Sequence, residues 1–180
     1  MVTSRPPKRV GEILLKAGLI DKWQLEDALE AQRREGGLLG RQLILAGSVT
    51  RREMFGALSK QWKAPLVDLI KEPPEAGLLS MIEPASLIEA GWVPWKRDGR
   101  GVVIATTVPP TETLIKTART MLGAKHISVR TTTDWDLNQA VATACRTALL
   151  FGAADALATK SSDESAKEGL RPWQLALPLT

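Results

Sequence analysis

The chain repeats itself. Residues 9–32 align without a gap on residues 38–61, a shift of 29 positions, and seven of the 24 aligned pairs are identical: Gly11/Gly40, Leu14/Leu43, Ala17/Ala46, Gly18/Gly47, Ala28/Ala57, Leu29/Leu58 and Gln32/Gln61. Val10/Leu39, Ile20/Val49 and Leu25/Met54 are conservative pairs, and a spacer of five residues, 33–37, joins the copies. Self-similarity at a fixed shift marks a duplicated supersecondary unit. Whatever the first copy folds into, the second must also fold into.

Each copy reads as a short helix, a turn and a longer helix. The stretch 10–17 is helical and stops at Gly18, the residue type suited to the left-handed position just past a helix end. Asp21 with Gln24 three residues on makes a capping box for a helix over 21–34. In the second copy 39–46 stops at Gly47, and Thr50 with Glu53 starts a helix over 50–62. The expected product is two helical hairpins related by an approximate two-fold.

After Lys63-Ala64-Pro65 the pattern changes. Leu66–Leu69 is a short strand candidate, Glu72-Pro73-Pro74 a turn, and 77–90 one or two helical pieces around Pro84. The runs 92–96 and 102–107 are strand-like and flank Asp98-Gly99-Arg100-Gly101, a hairpin signal. A helix over 111–122 closes at Gly123, a strand follows over 126–131, and a helix over 134–150. The fold class is therefore α+β: duplicated helical hairpins (residues 1–63), a small α/β subdomain with a three- or four-stranded sheet (64–152), and a linker or tail (153–180) that turns apolar at 175–179.

Composition narrows the function classes. Apolar residues are 44% and charged residues 24% of 180, a globular balance. No run of eighteen apolar residues appears, and Met1–Lys8 is basic and Pro-rich with no apolar stretch behind it, so neither a spanning helix nor a secretory signal is expected. One cysteine, Cys145, and one histidine, His126, leave no disulfide framework, no Cys- or His-based metal cluster and no convincing catalytic triad. There is no Gly-Lys dipeptide, so no P-loop. Glu26 and Glu30 share a helix side, but such surface carboxylates are usually solvated. The six tryptophans form no stacking stripe and are expected in the core or an interface. The chain is expected to be cytoplasmic, not an enzyme, and without a cofactor or metal.

Charge is uneven: residues 1–63 carry a balance of +5 and the remainder −1. A positive field favours an anionic partner, whether phosphate ligand, nucleic acid or acidic protein face, although a solvated surface has the same signature. Helix-turn-helix DNA binding fits the charge but not the helices, since neither long helix has an exposed face rich in Arg, Asn or Gln. No nucleic-acid partner is expected.

Two features remain. Leu25, Leu29 and Gln32 fall at i, i+4 and i+7, as do Met54, Leu58 and Gln61, so each glutamine prolongs an apolar stripe. A buried amide needs both donor and acceptor satisfied, by nearby backbone or by the edge of a nucleobase. Gly11 and Gly40 stand early in the short helices, where glycine is a poor helix former. The missing Cβ either opens the backbone N–H groups to a phosphate or lets two helices cross closely. Arg9, two residues before Gly11, can stack on a purine or pair with a phosphate.

Arg9-Val10-Gly11, Leu14, Gly18, Leu25, Leu29 and Gln32, then Leu38-Leu39-Gly40, Leu43, Gly47, Met54, Leu58 and Gln61, closely resemble the tandem motif of MshEN-type cyclic di-GMP-binding domains. Such domains begin many type II secretion and type IV pilus assembly ATPases and accompany some bacterial glycosyltransferases. The resemblance extends over about residues 8–150. It implies that these residues bind cyclic di-GMP, with Arg9 stacked on guanine, Gln32 on its edge, the leucines packed against or behind the ligand, and Gly11 and Gly40 admitting the phosphates to backbone N–H groups. It further implies a regulatory module that transmits ligand state to an attached or membrane-associated effector. Leu38 stands where the family has Arg, so one contact is missing; Arg33, Arg34 or Arg41 are the cations available to replace it. The rival expectation is a docking module that keeps the fold without the ligand. The stretch from Asp163 toward the apolar end resembles the approach to a membrane segment, as in the glycosyltransferase arrangement.

Overall fold

The computed structural model describes residues 9–99 and 101–146. Those up to Val141 form one compact unit; those from 142 to 146 belong to a second and are helical. The basic Met1–Lys8 segment, Arg100 of the hairpin turn, the last turn expected of the final helix and the tail lie outside the described residues.

The first copy forms α1 (Val10–Lys16) and α2 (Lys22–Glu35), the second α3 (Leu39–Leu45) and α4 (Arg51–Trp62). Both short helices stop in the same way. Gly18 and Gly47 take φ of +68° and +69°. The Gly18 and Leu19 N–H groups donate to Leu15 and Leu14, and the Gly47 and Ser48 N–H groups to Ile44 and Leu43, all at 3.0–3.1 Å. This pair of bonds satisfies carbonyls that the helix end leaves free. Both long helices begin on the expected boxes: the Gln24 N–H donates to Asp21 at 2.8 Å and the Asp21 N–H to Gln24 at 2.9 Å, while the Glu53 N–H donates to Thr50 at 3.2 Å and the Thr50 N–H to Glu53 at 2.8 Å. The last of these bonds holds the Glu53 carboxyl below its ordinary pKa. Each cap contributes about 1 kcal/mol.

The copies do not stand as two separate hairpins. α2 packs chiefly on α3, and α1 chiefly on α4, so each copy is covered by the other. A seven-residue helix has too little apolar face to hold itself against one partner, and the exchange solves this symmetrically. The core they enclose is built from repeat-mates: Leu14 with Leu43, Ile20 with Val49, and Ala28 with Ala57, all buried, and Met54 buried where Leu25 is half-buried.

Beyond Lys63, a left-handed residue at φ +55°, lie α5 (Ala76–Leu79) and α6 (Pro84–Ala90), the latter with Pro84 in its first turn. Among the described residues the sheet has three strands, in the order β1 (Trp92–Asp98), β2 (Gly101–Thr106), β3 (Ile127–Thr131). β1 and β2 pair antiparallel with Asp98 opposite Gly101, as the hairpin signal predicts. β2 and β3 pair parallel, joined through α7 (Glu112–Leu122). Leu66–Leu69 is not a fourth strand. Only Leu66 bridges, to Thr131, because Asp68 turns the chain: its side chain accepts from the Ile70 and Lys71 N–H groups at 3.2 and 3.1 Å.

A helix α8 (residues 134–146) starts where the helical repeat and the sheet meet. Thr133 caps it, accepting from the Asp136 N–H at 3.0 Å. On the repeat side, Arg51 of α4 reaches Asp134 at 3.3 Å and Arg52 reaches Asp68 at 3.1 Å. The bond from the Lys71 N–H, and then Arg52, hold the Asp68 carboxyl low. Asp136 differs. It is 7% exposed, one carboxylate oxygen has no hydrogen-bond partner, and burial pushes its pKa up.

Two outcomes are expected. Leu43→Ala and Leu14→Ala each cost about 2–5 kcal/mol, and the two values agree because the sites are equivalent; urea unfolding measures both. For Asp136, the folded protein binds more protons than the unfolded chain between the unfolded pKa and the raised folded one. This carboxyl therefore withdraws stability as pH rises through that window. Asp136→Asn is expected to gain stability over the wild type near neutrality and to lose that advantage in acid, read from urea midpoints at several pH values.

Candidate functional site

Arg9 and Leu38 occupy the same place in the two copies: each is the N-cap of its short helix, in extended backbone, with no side-chain capping bond. The equivalence runs down one face. Arg9, Glu12 and Lys16 are exposed in the first copy, and Leu38, Arg41 and Leu45 are exposed in the second. Leu38 and Leu45 are 77% and 68% exposed. Gly18 and Gly47 lie past the opposite ends of these helices, where they act as helix stops.

The structure decides what Gly11 and Gly40 make room for. A Cβ on Gly11 would stand 2.9 Å from Leu25 Cδ1 and 3.5 Å from Leu39 Cδ2, and one on Gly40 would stand 3.1 Å from Met54 Sδ. Close helix crossing accounts for both glycines; the space is filled by Leu25 and its repeat-mate Met54. Leu14 and Leu43, fully buried, support this surface from behind. Val10 and Leu39 are half-buried against the same core.

The long-helix stripe is not buried as its periodicity predicts. In α2 the buried residue is Ala28, whereas Leu25 and Gln32 are half-buried and Leu29 is 37% exposed. Small Ala28 makes the close contact, and the longer side chains flank it within reach of solvent. In α4, Met54 is buried while Leu58 and Gln61 are half-buried. Each glutamine thus stands half-buried at the rim of an apolar surface.

The two amides are in different states. Gln32 Nε2 donates to the Gly37 carbonyl at 2.7 Å, whereas the Gln61 side chain makes no hydrogen bond among the described residues. Gln42, which sequence reasoning missed, also engages the spacer: it is buried, and its Nε2 donates to the Gly36 carbonyl at 3.0 Å. Gly36 and Gly37 both have positive φ, which lets the spacer fold back onto these amides. The signal for Gln42 lay in the repeat, because its mate is the apolar Ile13.

Arg9, Arg33 and Arg41 form no ion pair among the described residues; Arg34 pairs with the adjacent Glu35 at 2.8 Å. Arg9, Arg33 and Arg41 are exposed and free to meet an anion. His126 is exposed just ahead of β3, and Cys145 is half-buried. Trp92 and Trp95 are in the core as expected, but Trp23 and Trp135 are exposed, at 76% and 59%. Among the described residues no three Asp, Glu, His or Cys side chains gather as metal ligands, and no helix is long and apolar enough to cross a membrane.

Similarity to known proteins follows the fold. The structure of MshE with cdg superposes with a TM-score of 0.65 at 22% identity, covering 76% of this chain and 98% of that one. The N-terminal domain of XpsE superposes with a TM-score of 0.57 at 18% identity, covering 74% and 91%. The fold is thus that of these N-terminal domains. Residues 62–149 match the MshEN domain family model; the matched stretch begins at the end of α4, and the duplicated helices precede it. The type IV pilus assembly ATPase PilB of Thermus thermophilus is 34% identical over 110 residues, which is 59% of this chain and 12% of that protein. PilB of Myxococcus xanthus is 28% identical over 101 residues, 56% of this chain and 18% of that protein. The chain spans less than a fifth of either relative's length.

The glycine packing yields a paired expectation. Gly11→Val and Gly40→Val each force a branched side chain into occupied space, and each is expected to destabilise the fold by about 1–3 kcal/mol. Thermal unfolding of the two variants side by side measures it.

Proposed function

We propose that this chain is a cyclic di-GMP-binding regulatory module that reports the ligand to an effector, for which the similarity to the PilB proteins favours a pilus or secretion ATPase. A glycosyltransferase effector has no counterpart among these relatives. The observation that carries the reading is the duplicated rim. Leu25 over Gly11 with Leu29 and Gln32, and Met54 over Gly40 with Leu58 and Gln61, set apolar side chains and an amide at equivalent positions twice. Cyclic di-GMP has two guanines and two phosphates related by a two-fold, and a duplicated unit meets such a ligand with repeated contacts. The structure of MshE with cdg shares the fold.

In this reading Arg9 stacks on a guanine and supplies charge, Gln32 and Gln61 hydrogen-bond base edges, and Leu25, Leu29, Val10, Leu39, Met54 and Leu58 line or back the apolar surface. Leu14, Leu43, Gly11, Gly40, Gly18 and Gly47 hold the helices in place. The module acts by binding in the cytoplasm, with a protein effector attached or nearby, and performs no chemistry. A docking module without the ligand is the second reading, favoured by the exposure of Leu38 and Leu45.

Calorimetric titration separates them. Saturable binding of cyclic di-GMP is expected, weakened about ten- to a hundredfold by Arg9→Ala or Gln61→Ala while both variants keep the wild-type unfolding temperature. Absence of heat and of any thermal shift at high ligand concentration leaves the docking reading.

A further inference from the structure

The two copies differ most where the proposed site needs charge. Arg9 and Leu38 are equivalent N-caps, so a guanidinium present in one half of the surface is absent from the other. One turn further along, the difference reverses: Glu12 in the first copy is Arg41 in the second. Positions three apart lie on the same helix face, with about 5–6 Å between their Cβ atoms, and the exposure pattern places Leu38 and Arg41 together on the open face of α3. Arg41 is the sole charged residue of α3, and it forms no ion pair among the described residues.

We infer that Arg41 supplies the charge that Leu38 does not, as a phosphate-binding residue of the second half-site. This rests on the cyclic di-GMP reading and extends it. Arg9 combines two properties in one side chain, a flat surface for a base and a positive charge for a phosphate. In the second copy these are divided: Leu38 presents apolar surface, and the Arg41 guanidinium reaches back over one helical turn to pair with a phosphate oxygen. Leu38 and Leu45 lie on either side of Arg41 along this face. The half-site is displaced along the helix by one turn, and binding survives the loss of the N-cap arginine.

The test is titration of cyclic di-GMP into the full chain and into Arg41→Ala, Glu12→Ala, Leu38→Arg and the Leu38→Arg/Arg41→Ala double variant, at two salt concentrations. All three substituted positions are exposed, and circular dichroism checks that each variant folds. Arg41→Ala is expected to raise Kd about ten- to a hundredfold and to flatten its salt dependence. Glu12→Ala is expected to bind no more weakly than wild type, and the double variant to recover most of the affinity. Wild-type affinity in Arg41→Ala overturns the assignment and leaves the cyclic di-GMP reading intact. Binding by Leu38→Arg but not by wild type also overturns it, since Arg41 then does not compensate. Absence of binding in both wild type and Leu38→Arg removes the ligand reading and this inference together.

Discussion

The contact between Gly11 and Leu25, repeated between Gly40 and Met54, sets the geometry of the helical half. Because no Cβ intervenes, each short helix lies against the side chain of its own long helix, while the rest of its apolar face turns to the other copy. Leu14 and Leu43 then meet in a core that belongs to both copies. Neither copy encloses enough apolar surface alone, and a two-residue insertion in one of them would break the register of both. The rim with Gln32 and Gln61 exists because this core fixes the long helices while leaving their flanking residues within reach of water.

Much of this was legible in the sequence, for reasons that can be named. Capping boxes at Asp21/Gln24 and Thr50/Glu53 and the stops at Gly18 and Gly47 depend on neighbours three to five residues away, so local sequence specifies them. Pro84 and Gly123 worked in the same way for α6 and α7. The interleaving of the copies did not appear, because periodicity shows that a helix has an apolar face and not which helix will cover it. The stripe of Leu25, Leu29 and Gln32 lies shallower than its periodicity predicts for a related reason: Ala28, one position from the stripe, is small and takes the buried place. Leu66–Leu69 had strand composition but lost its ladder to the side chain of Asp68, a competition that hydropathy does not register.

Asymmetry between duplicated parts carries information that either part alone would not. Gln42 against Ile13 and Arg41 against Glu12 stand out only because the fold holds both members of each pair in one environment. Gln42 has a structural partner, the Gly36 carbonyl, so its departure from the repeat is explained by the spacer. Arg41 has none, which is why it is assigned to a ligand. Exposed Trp23 and Trp135 belong to neither group, and nothing in the structure explains their exposure.

The stretch between the helical repeat and α5 also sets how the sheet meets other molecules. At one rim the Thr131 N–H donates to Pro65 at 2.9 Å and the Val67 N–H to Thr131 at 2.8 Å. At the other, the Glu75 N–H donates to the Trp95 carbonyl at 2.9 Å, the Arg97 N–H to the Glu75 carboxylate at 3.0 Å, and the Trp95 indole to the Glu72 carbonyl at 2.9 Å. Pro94 removes a further donor there, and a bulge at Trp95 bends the strand. An outer strand with its polar groups engaged gives no template for a stray chain to extend. The β1 side is thereby protected from edge-to-edge aggregation, and a neighbour approaching it meets side chains, not a ladder it can join.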